Sequence, residues 1–574
     1  MKKLFALLLA CAMVLSLAAC GGAPAASAPA SESAGSEAAA PAEDILEEAA
    51  PAEETEEFTA PEAEGEGLSF PLCEPGEITL TWMEGLIPDA LNIVKPDNSQ
   101  NVLYRELEKL SGVHLDFKYE NTEMFMEKFS LMLAAQDYPD IASAAPDMCD
   151  SSGDAAYENG VIVNLNDYPD LIQNYLAAIN TEENGYRNAV TDEGNLLCFA
   201  QIYDKLQPNF CGYQIRQNWL EDLGLDVPET IDDWHEMLVR FRDEKTGGEP
   251  PMDMAATGLP DMNWFASAYG LNITGVSQKF FVQRDGVVSC SVTEDAFRDY
   301  LETMSGWYAD GLINKDFISG TGFAGLGYGP DDPRLAEGKS GAFPALYSMS
   351  GSFFANTGMA EAGTFTCMVA QPTLERGVPN KIGAHGTDAS RIVAASGDVV
   401  FASGDHVEEA IALIDYLYSE EGAFLRTYGV EGETFEYDAD GKPVYTNMIV
   451  DNPDMVFAVA RQVYLRHNGS MYLLEAEEQA SSDPYALTYY DVWNNIGEWN
   501  LDGNITYTAD ENAERAALMA DIETYVGEYA AKVIAGMTPL NDDTWNDYLS
   551  TMEQMNIDRV TEITQDAYDR YLAR

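Results

Sequence analysis

Basic residues are scarce in this sequence. The chain carries 31 Lys and Arg against 97 Asp and Glu, which gives a formal net charge of −66. This balance argues against nucleic acid as a partner, because binding to phosphates relies on clustered Lys and Arg. It also opposes flat contact with an anionic membrane surface. Hydrophobic residues at 46% and aromatic residues at 11% are typical of a folded protein, so we expect an acidic surface around an ordinary core.

Catalytic and metal-binding motifs are also missing. The five histidines are far apart, and the sequence has no HExxH motif, no His and Cys at zinc spacing and no GxSxG elbow. We expect no enzyme activity, no metal and no cofactor. A pair of carboxylates of the glycosidase type stays open, since 97 acidic residues leave many pairs to choose from.

Two short segments resemble ligand-binding loops, but each has the wrong residue at one required position. Gly338-Lys339-Ser340 resembles the end of a phosphate-binding loop, but Pro333 stands where its first glycine belongs. The segment from Asp438 begins like a calcium loop, but its twelfth position is Ile449 instead of a glutamate. We interpret both as ordinary turns, the second as a β-turn.

Cysteine spacing gives no disulfide framework. Six cysteines follow Cys20, none in a CxxC pair, and a chain of this size does not need covalent staples. Disulfides and buried free thiols both remain open. The six are Cys73, Cys149, Cys198, Cys211, Cys290 and Cys367.

Only the N-terminus contains a signal-like apolar run. Lys2 and Lys3 precede the run Leu4–Val14, which is too short to span a bilayer and is typical of a removable signal. Leu17-Ala-Ala-Cys20 followed by two glycines resembles the lipobox of bacterial lipoproteins. The resemblance implies that residues 1–19 are removed and that Cys20 is lipidated; the alternative is an ordinary secretory signal with a chance cysteine. Acyl chains contribute about 0.8 kcal/mol per buried methylene, enough together to hold the protein at a membrane.

Residues 20–67 have the composition of a tether. From Gly21 to Gly67 there are thirteen acidic residues, five prolines and no Lys or Arg. No apolar pattern offers a face that packs, so we expect a disordered acidic spacer.

Strand and helix patterns alternate from residue 68 onward. Glu77–Met83 alternates as a strand does, and a helix over 101–111 precedes a second strand over 114–119. A helix over 123–135 leads to a third strand at Tyr138–Ile141. This order predicts a βαβ sheet flanked by helices, which binds ligands beyond the carboxyl ends of its strands.

Start and stop signals predict further elements. A short helix over 218–223 stops at Gly224, and Thr230 caps a helix over 231–242. An aromatic stripe indicates a packed helix over 293–313. Later in the chain we predict a strand over 394–402 and a helix over 406–418.

Several segments resemble one family. Phe129–Ile141 and Asn159–Asn166 are similar to segments of the extracellular solute-binding proteins, family 1, of ABC importers. Ile215–Trp234 resembles the LipO-like lipoprotein branch almost position by position, and Tyr416–Gly422 and Asp438–Pro443 resemble it closely.

The resemblance implies an α/β, two-lobe, periplasmic-binding-protein-like fold of type II with a hinge between the lobes. We expect lobe 1 to comprise 68–210 and 390–435, and lobe 2 to comprise 211–389 and 436–574. It further implies a membrane-anchored extracellular receptor that closes on a mono- or oligosaccharide and delivers it to ABC permease subunits. We expect a monomer that touches the membrane through its lipid alone. A surface sensor or adhesin of the same fold, and a peptide ligand, remain alternatives.

Candidate ligand residues lie where the chain leaves strands or crosses between lobes. A sugar site needs aromatic platforms beside carboxylates, amides or Arg, although each single aromatic has buried packing as its alternative. The candidates are Trp82, Glu84, Tyr213, Arg216, Trp264, Tyr269, Asp388, Arg391, Trp493 and Trp499.

Overall fold

Two hydrophobic cores organise the chain. A computed structural model describes residues 60–63, 65, 67–95, 98–122, 124–182, 184–206, 211–254, 259–273, 278–318, 334, 337–346, 366–383, 390–450, 452–455, 457–466, 469–479, 492–493 and 497–574. The first core draws on residues 78–202 and 392–418. The second draws on residues 213–369 and 428–571. The predicted signal and Cys20 lie outside the described residues.

The described strands and helices have the following bounds. The strands are β1 Thr79–Leu86, β2 His114–Asn121, β3 Ile141–Ala142, β4 Phe199–Tyr203, β5 Cys211–Arg216, β6 Phe281–Arg284, β7 Val287–Cys290, β8 Ala342–Leu346, β9 Thr366–Met368, β10 Ile392–Val400, β11 Phe435–Tyr437, β12 Pro443–Tyr445 and β13 Met471–Tyr472. The helices are α1 Pro88–Ile93, α2 Val102–Ser111, α3 Phe125–Ala135, α4 Gly153–Glu158, α5 Gln173–Ile179, α6 Gly185–Ala189, α7 Gln217–Leu223, α8 Ile231–Glu244, α9 Leu259–Ala266, α10 Asp295–Ala309, α11 Val407–Tyr416, α12 Glu420–Tyr428, α13 Phe457–Tyr464, α14 Ala509–Ile534, α15 Asp542–Gln554 and α16 Ile557–Ala573.

The main sheet has six strands in the order β13-β4-β10-β3-β1-β2. Strand β1 pairs in parallel with β2 and β3, while β10 runs antiparallel to both β3 and β4. The carboxyl ends of β1, β3 and β4 therefore share one edge. A second sheet, β8-β5-β9, is antiparallel and belongs to the second core.

Capping residues set the helix limits much as the sequence predicts. Asn101 accepts a hydrogen bond from the Tyr104 N–H at the start of α2, and Gly112 ends that helix with a φ of 80°. Thr230 and Asp233 form a capping box at the start of α8, and Gly224 ends α7 in the left-handed region. These caps satisfy backbone groups that a helix leaves unpaired at its ends.

The two imitated ligand loops are turns, as predicted. Gly338 lies in a turn that leads into β8 with a φ of 68°. Asp438 accepts the N–H of Gly441 at 3.1 Å in the turn of the β11–β12 hairpin.

The lobe boundaries drawn from the sequence stay a prediction, but one short strand crosses them. Met471–Tyr472 falls in the predicted second lobe, yet it pairs with β4 in the six-stranded sheet. In the segment before it, Phe457 and Leu465 pack in the second core, and Val459 and Val463 pack in a smaller cluster with Leu86 and Ala90 at the end of β1 and in α1.

The end of the predicted tether lies on the first core. The N–H of Gly65 donates to Asp170 at 2.7 Å, and the side chain of Gln173 donates to the Gly65 carbonyl. Further along, Phe70 packs on Tyr416 with ring centroids 5.3 Å apart. Contacts with the first core are thus made before residue 68, within the predicted tether.

Five of the six predicted mature cysteines are free thiols. Cys149, Cys198 and Cys290 are buried, whereas Cys73 and Cys367 are partly buried. Burial raises the pKa of the Cys149 and Cys290 thiols to about 12. The described helices include none with the length and apolar character of a membrane span.

Candidate functional site

A cavity of about 150 Å³ opens between the two cores, beside the end of β3 and the start of β4. One wall is formed by the turn after β3, by α4 and by residues 188–191. The other wall is formed by residues 503–507 and by Asn512 near the start of α14. Open α/β sheets hold ligands beyond the carboxyl ends of their strands, and the segment after β3 supplies Ala145, Pro146 and Asp147 to this cavity.

The cavity lining mixes hydrogen-bonding and apolar side chains. Pro146, Val190, Leu197 and Ile505 supply apolar surface, and no Lys or Arg lines the cavity in the described part of the chain. A cavity of about this volume accepts a six-membered ring, and the mixture is typical of small-molecule sites. The polar residues are Asp147, Asp154, Asn188, Thr191, Asn504, Thr506, Tyr507 and Asn512.

The two carboxylates of the cavity differ in their partners. Asp154 Oδ1 accepts hydrogen bonds from Thr191 Oγ1 and Asn195 Nδ2, both at 2.7 Å, so it is fixed within the wall. Asp147 remains open to solvent. The protein around it raises its pKa through burial, against the backbone N–H groups of Asp147 and Met148. Asp147 is therefore the carboxylate better placed to accept hydrogen bonds from a ligand.

One arginine joins the two walls from behind. Arg574 Nη1 donates to the Val190 carbonyl at 2.7 Å on one wall and to the Asn504 carbonyl at 3.1 Å on the other. Its Nη2 donates to Thr506 Oγ1 at 2.6 Å. The guanidinium is balanced by Asp192, which also accepts from Arg570 Nε at 2.8 Å. The separation of the walls thus depends on a buried charged cluster.

A second polar contact joins the cores beside this cluster. The Tyr571 hydroxyl lies 2.7 Å from Asn188 Oδ1 on the first core and 2.7 Å from Asp502 Oδ2. Since Asn188 lines the cavity, this contact also helps to fix the distance between the walls.

The sequence is similar to those of several binding proteins. It is 25% identical over 266 residues to the fructooligosaccharide ABC transporter substrate-binding protein FusA of Streptococcus pneumoniae, covering 43% of this chain and 47% of that protein. It is 22% identical over 369 residues to the lipoprotein LipO of Bacillus subtilis, covering 62% of this chain and 67% of LipO. It is 24% identical over 351 residues to the polygalacturonan/rhamnogalacturonan-binding protein YtcQ of Bacillus subtilis, covering 58% and 64%. The chain thus spans about half to two thirds of the curated relatives that it matches. No protein-family model matches it.

Solved structures of the same architecture cover most of the chain. The alginate-binding protein AlgQ2 superposes with a TM-score of 0.66 at 21% identity, over 86% of this chain and 98% of that one. An HMO-binding, ABC-transporter-associated solute-binding protein of Bifidobacterium longum infantis superposes with a TM-score of 0.65 at 15% identity, over 86% of this chain and 99% of that one. The chain has the two-lobe fold of the extracellular solute-binding proteins. The resemblance stated from the sequence, to the LipO-like branch in particular, is confirmed.

In this solute-binding fold, Trp82 and Glu84 are buried beside the first sheet. Trp82 is 0% exposed and Glu84 is 4% exposed. Trp82 Nε1 donates to Ser143 Oγ at 3.2 Å, and the guanidinium of Arg466 lies 4.5 Å from its ring centroid. Glu84 accepts a hydrogen bond from the Tyr104 hydroxyl at 2.8 Å.

Arg466 is the centre of that buried network. Its Nη2 donates to Asp398 Oδ1 at 2.6 Å, and its Nε lies 3.4 Å from Glu84 Oε1. Burial raises the pKa of Glu84 despite this arginine. Burial acts to lower the pKa of Arg466, but the surrounding anionic groups outweigh it, so the arginine stays charged. Trp82 and Glu84 therefore hold residues 457–472 against the first sheet.

Tyr213, Trp264 and Trp493 form one aromatic cluster in the second lobe. The Tyr213 and Trp264 rings are 6.0 Å apart, and Trp264 meets Trp493 edge-on at 6.1 Å. Gly212 lies between both indoles, since a Cβ there would come within 2.5 Å of Trp264 and 2.7 Å of Trp493. Trp264 lies in helix α9.

Tyr269 and Trp499 are half-buried on the same lobe. Tyr269 contacts Tyr300 edge-on and hydrogen-bonds Thr303 at 2.8 Å. The guanidinium of Arg284 lies 4.6 Å above the Trp499 ring, which keeps one face of that ring covered. These two are the least buried of the predicted aromatic platforms.

Arg216 is the last residue of β5, and Arg391 directly precedes β10. Arg216 Nε donates to the Ser340 carbonyl at 2.7 Å, and burial lowers its pKa to about 10. Arg391 donates to the Asp204 carbonyl at 3.0 Å and to Thr181 Oγ1 at 2.8 Å. Arg391 thereby bonds to residues that follow β4 and α5. Asp388 lies outside the described residues.

None of the predicted ligand residues in the described part of the chain lines the cavity. A signal for Asp147 was present, since Pro146-Asp147 follows directly on β3 and residues after parallel strands share an edge. Asn188 and Asn504 carry no local signal, because they are 316 positions apart and meet only in the folded chain. Whether the predicted residues touch a ligand stays a prediction.

Proposed function

We propose that this protein captures a carbohydrate between its two lobes and delivers it to the permease subunits of an ABC importer. The observation that carries this proposal is the cavity between the cores, in a chain with the fold of the solute-binding proteins. The relatives bind fructooligosaccharides or pectin-type polymers by their names, and they are binding proteins. We infer that this chain is likewise a receptor and not an enzyme.

The chemistry of the cavity suits a sugar. Sugars present many hydroxyl groups, and the lining offers carboxylate, carboxamide and hydroxyl partners within a small volume. Tyr507 adds an aromatic ring, on which the C–H face of a sugar packs. A micromolar ligand requires about −8 kcal/mol in total, which a few buried hydrogen bonds and one stacked ring supply.

Capture proceeds by closure of the lobes. A ligand that contacts both walls stabilises the closed state by its differential affinity for that state. The closed pair of lobes then offers a surface that permeases recognise.

The anchor and the lobe boundaries belong to the same proposal. Lipidated Cys20 would hold the protein on the extracellular face of the membrane. The predicted tether over residues 20–67 would separate the lobes from the membrane surface. The contact of Gly65 with Asp170 supports attachment through lobe 1, which leaves lobe 2 free to move.

The ligand residues predicted from sequence extend the proposed site. Trp264 is the best supported of them, because its Nε1 is buried without a hydrogen-bond partner in the described structure. An indole N–H in that state costs free energy that a ligand acceptor would recover. Tyr269 and Trp499 follow, because both keep exposed surface.

Thermal unfolding against a panel of mono- and oligosaccharides, peptides and metal ions tests the proposal. A ligand at a hundredfold excess over its Kd adds about 2.7 kcal/mol to stability. We expect a selective rise in Tm with one class of sugar. A rise with peptides alone would overturn the sugar assignment, and no rise with any sugar or peptide would contradict the importer role.

A further inference from the structure

We propose that the cavity selects a neutral saccharide and rejects sugars that carry carboxylates. This inference rests on the proposed function and names the class of ligand for the same site. Its basis is charge, since Asp147 and Asp154 line the cavity and no Lys or Arg does so among the described residues. A uronate carboxylate would be desolvated beside two like charges, which is unfavourable.

Arg574 and Arg570, two arginines close to the cavity, are already paired with carboxylates of the protein. Arg574 lies behind the walls, and both of its bonds to carboxylate go to Asp192. Arg570 bonds to Asp192 and to Glu511. Each guanidinium is therefore neutralised before a ligand arrives, and neither is turned toward the cavity.

Two further arginines lie near the lining. The guanidinium of Arg187, next in sequence to Asn188, lies 5.2 Å from the Tyr571 ring centroid. The other is Arg515. Its guanidinium stacks 4.8 Å from the Tyr507 ring centroid, and its Nη2 lies 3.4 Å from Gln278 Oε1. Tyr507 lines the cavity, whereas the Arg515 guanidinium that stacks on its ring does not.

The acceptors of the cavity match hydroxyl donors. Asp147 has backbone donors only, which leaves lone pairs for two sugar hydroxyls. Asn188, Asn504 and Thr506 already bond within the protein and shape the walls. A neutral sugar satisfies Asp147 without adding a further negative charge to the two carboxylates of the cavity, whereas a uronate adds repulsion.

Titration calorimetry with the whole protein tests the proposal. The titrants are neutral gluco-, fructo- and manno-oligosaccharides of two to five units, oligogalacturonates of the same lengths, and chitosan oligomers as cationic sugars. We expect at least one neutral series to bind, with oligogalacturonates at least about tenfold weaker, the factor that 1.4 kcal/mol represents. Tighter binding of oligogalacturonates or of chitosan oligomers would overturn the inference while leaving the sugar-binding function intact. If no sugar binds, the proposed function itself is contradicted.

Two substitutions at one position sharpen the test. Asp147→Asn should weaken the neutral sugar about ten- to hundredfold, since a hydrogen bond to a charged group contributes roughly 1.5–3 kcal/mol. Asp147→Lys should abolish neutral-sugar binding and raise affinity for oligogalacturonate. The matched control is Glu193→Gln, because Glu193 is exposed and lies outside the cavity lining. Unchanged neutral-sugar affinity in Asp147→Asn, with a native circular dichroism spectrum, would contradict the role of Asp147.

Discussion

Asp192 and Arg574 are joined across the two cores by two hydrogen bonds, in which Nε and Nη2 of the arginine donate to Oδ1 at 2.8 and 2.6 Å. They are 382 positions apart in sequence. The Arg574 side chain is 0% exposed and that of Asp192 is 12% exposed. This pair sets the spacing of the cavity walls, because the same guanidinium bonds to Val190 and Asn504.

Removing the charge of Asp192 should therefore loosen the junction of the lobes. We expect Asp192→Asn to lower the free energy of unfolding by about 3–5 kcal/mol, the cost of leaving buried charges unpaired. Denaturant titration measures the change. The exposed neighbour provides the control, since Glu193→Gln should stay within about 0.5 kcal/mol of wild type. Equal stability of the two variants would show that the junction does not depend on this pair.

Arg466 should stabilise the first lobe through its positive charge more than through the packing of its side chain. Arg466→Met leaves Glu84 and Asp398 buried without a cation, so we expect a loss of about 3–5 kcal/mol. The triple variant Glu84→Gln, Arg466→Met, Asp398→Asn removes all three charges and should recover much of that loss. Denaturant midpoints of the single and triple variants check this. A triple variant no more stable than Arg466→Met would contradict the assignment of the loss to unpaired buried charges.

Asp415 should make stability depend on pH. Burial raises its pKa to about 6, although it accepts hydrogen bonds from the backbone N–H of Tyr175 at 2.8 Å and from Asn174. The folded state then binds a proton more tightly than the unfolded state, so this group's contribution is largest below about pH 4 and is lost as pH rises through 6. Relative to Asp415→Asn, the wild type should lose up to about 3 kcal/mol between pH 4 and pH 7. Parallel pH profiles of the two proteins would refute this.

The buried thiols should be inert in the native protein. Cys149 and Cys290 are both free and buried, and burial raises their pKa to about 12, which suppresses the reactive thiolate. We expect iodoacetamide to label them only after denaturation, as read by peptide mass spectrometry. Cys73, which is partly buried, serves as the internal comparison. Rapid native labelling of Cys149 would contradict the burial described here.

Local signals predicted the elements well and the site poorly. Gly112, Gly224 and Thr230 mark helix ends in the sequence, and the structure uses all three as caps. Aromatic residues carry no such signal, because a tryptophan near a strand end suits a ligand platform and a buried core equally. Trp82 illustrates this, since Ser143 and Arg466 enclose it.

Long-range pairing explains what the sequence could not predict. The cavity walls come from residues around 145–198 and around 503–512, and no periodicity links them. The same holds for Asp192 with Arg574. The lobe assignment from sequence also missed that β13 pairs with β4, because a two-residue strand leaves no pattern.

The most direct test fills the cavity. Ala145 lines it and is partly exposed there, so Ala145→Leu adds apolar volume at little cost to the fold. Titration calorimetry of wild type and Ala145→Leu with the saccharide that raises Tm most would measure the effect. The account predicts at least about a tenfold loss of affinity, with an unchanged Tm in the absence of sugar. Equal affinity of the two proteins would contradict the claim that the cavity between the cores holds the sugar.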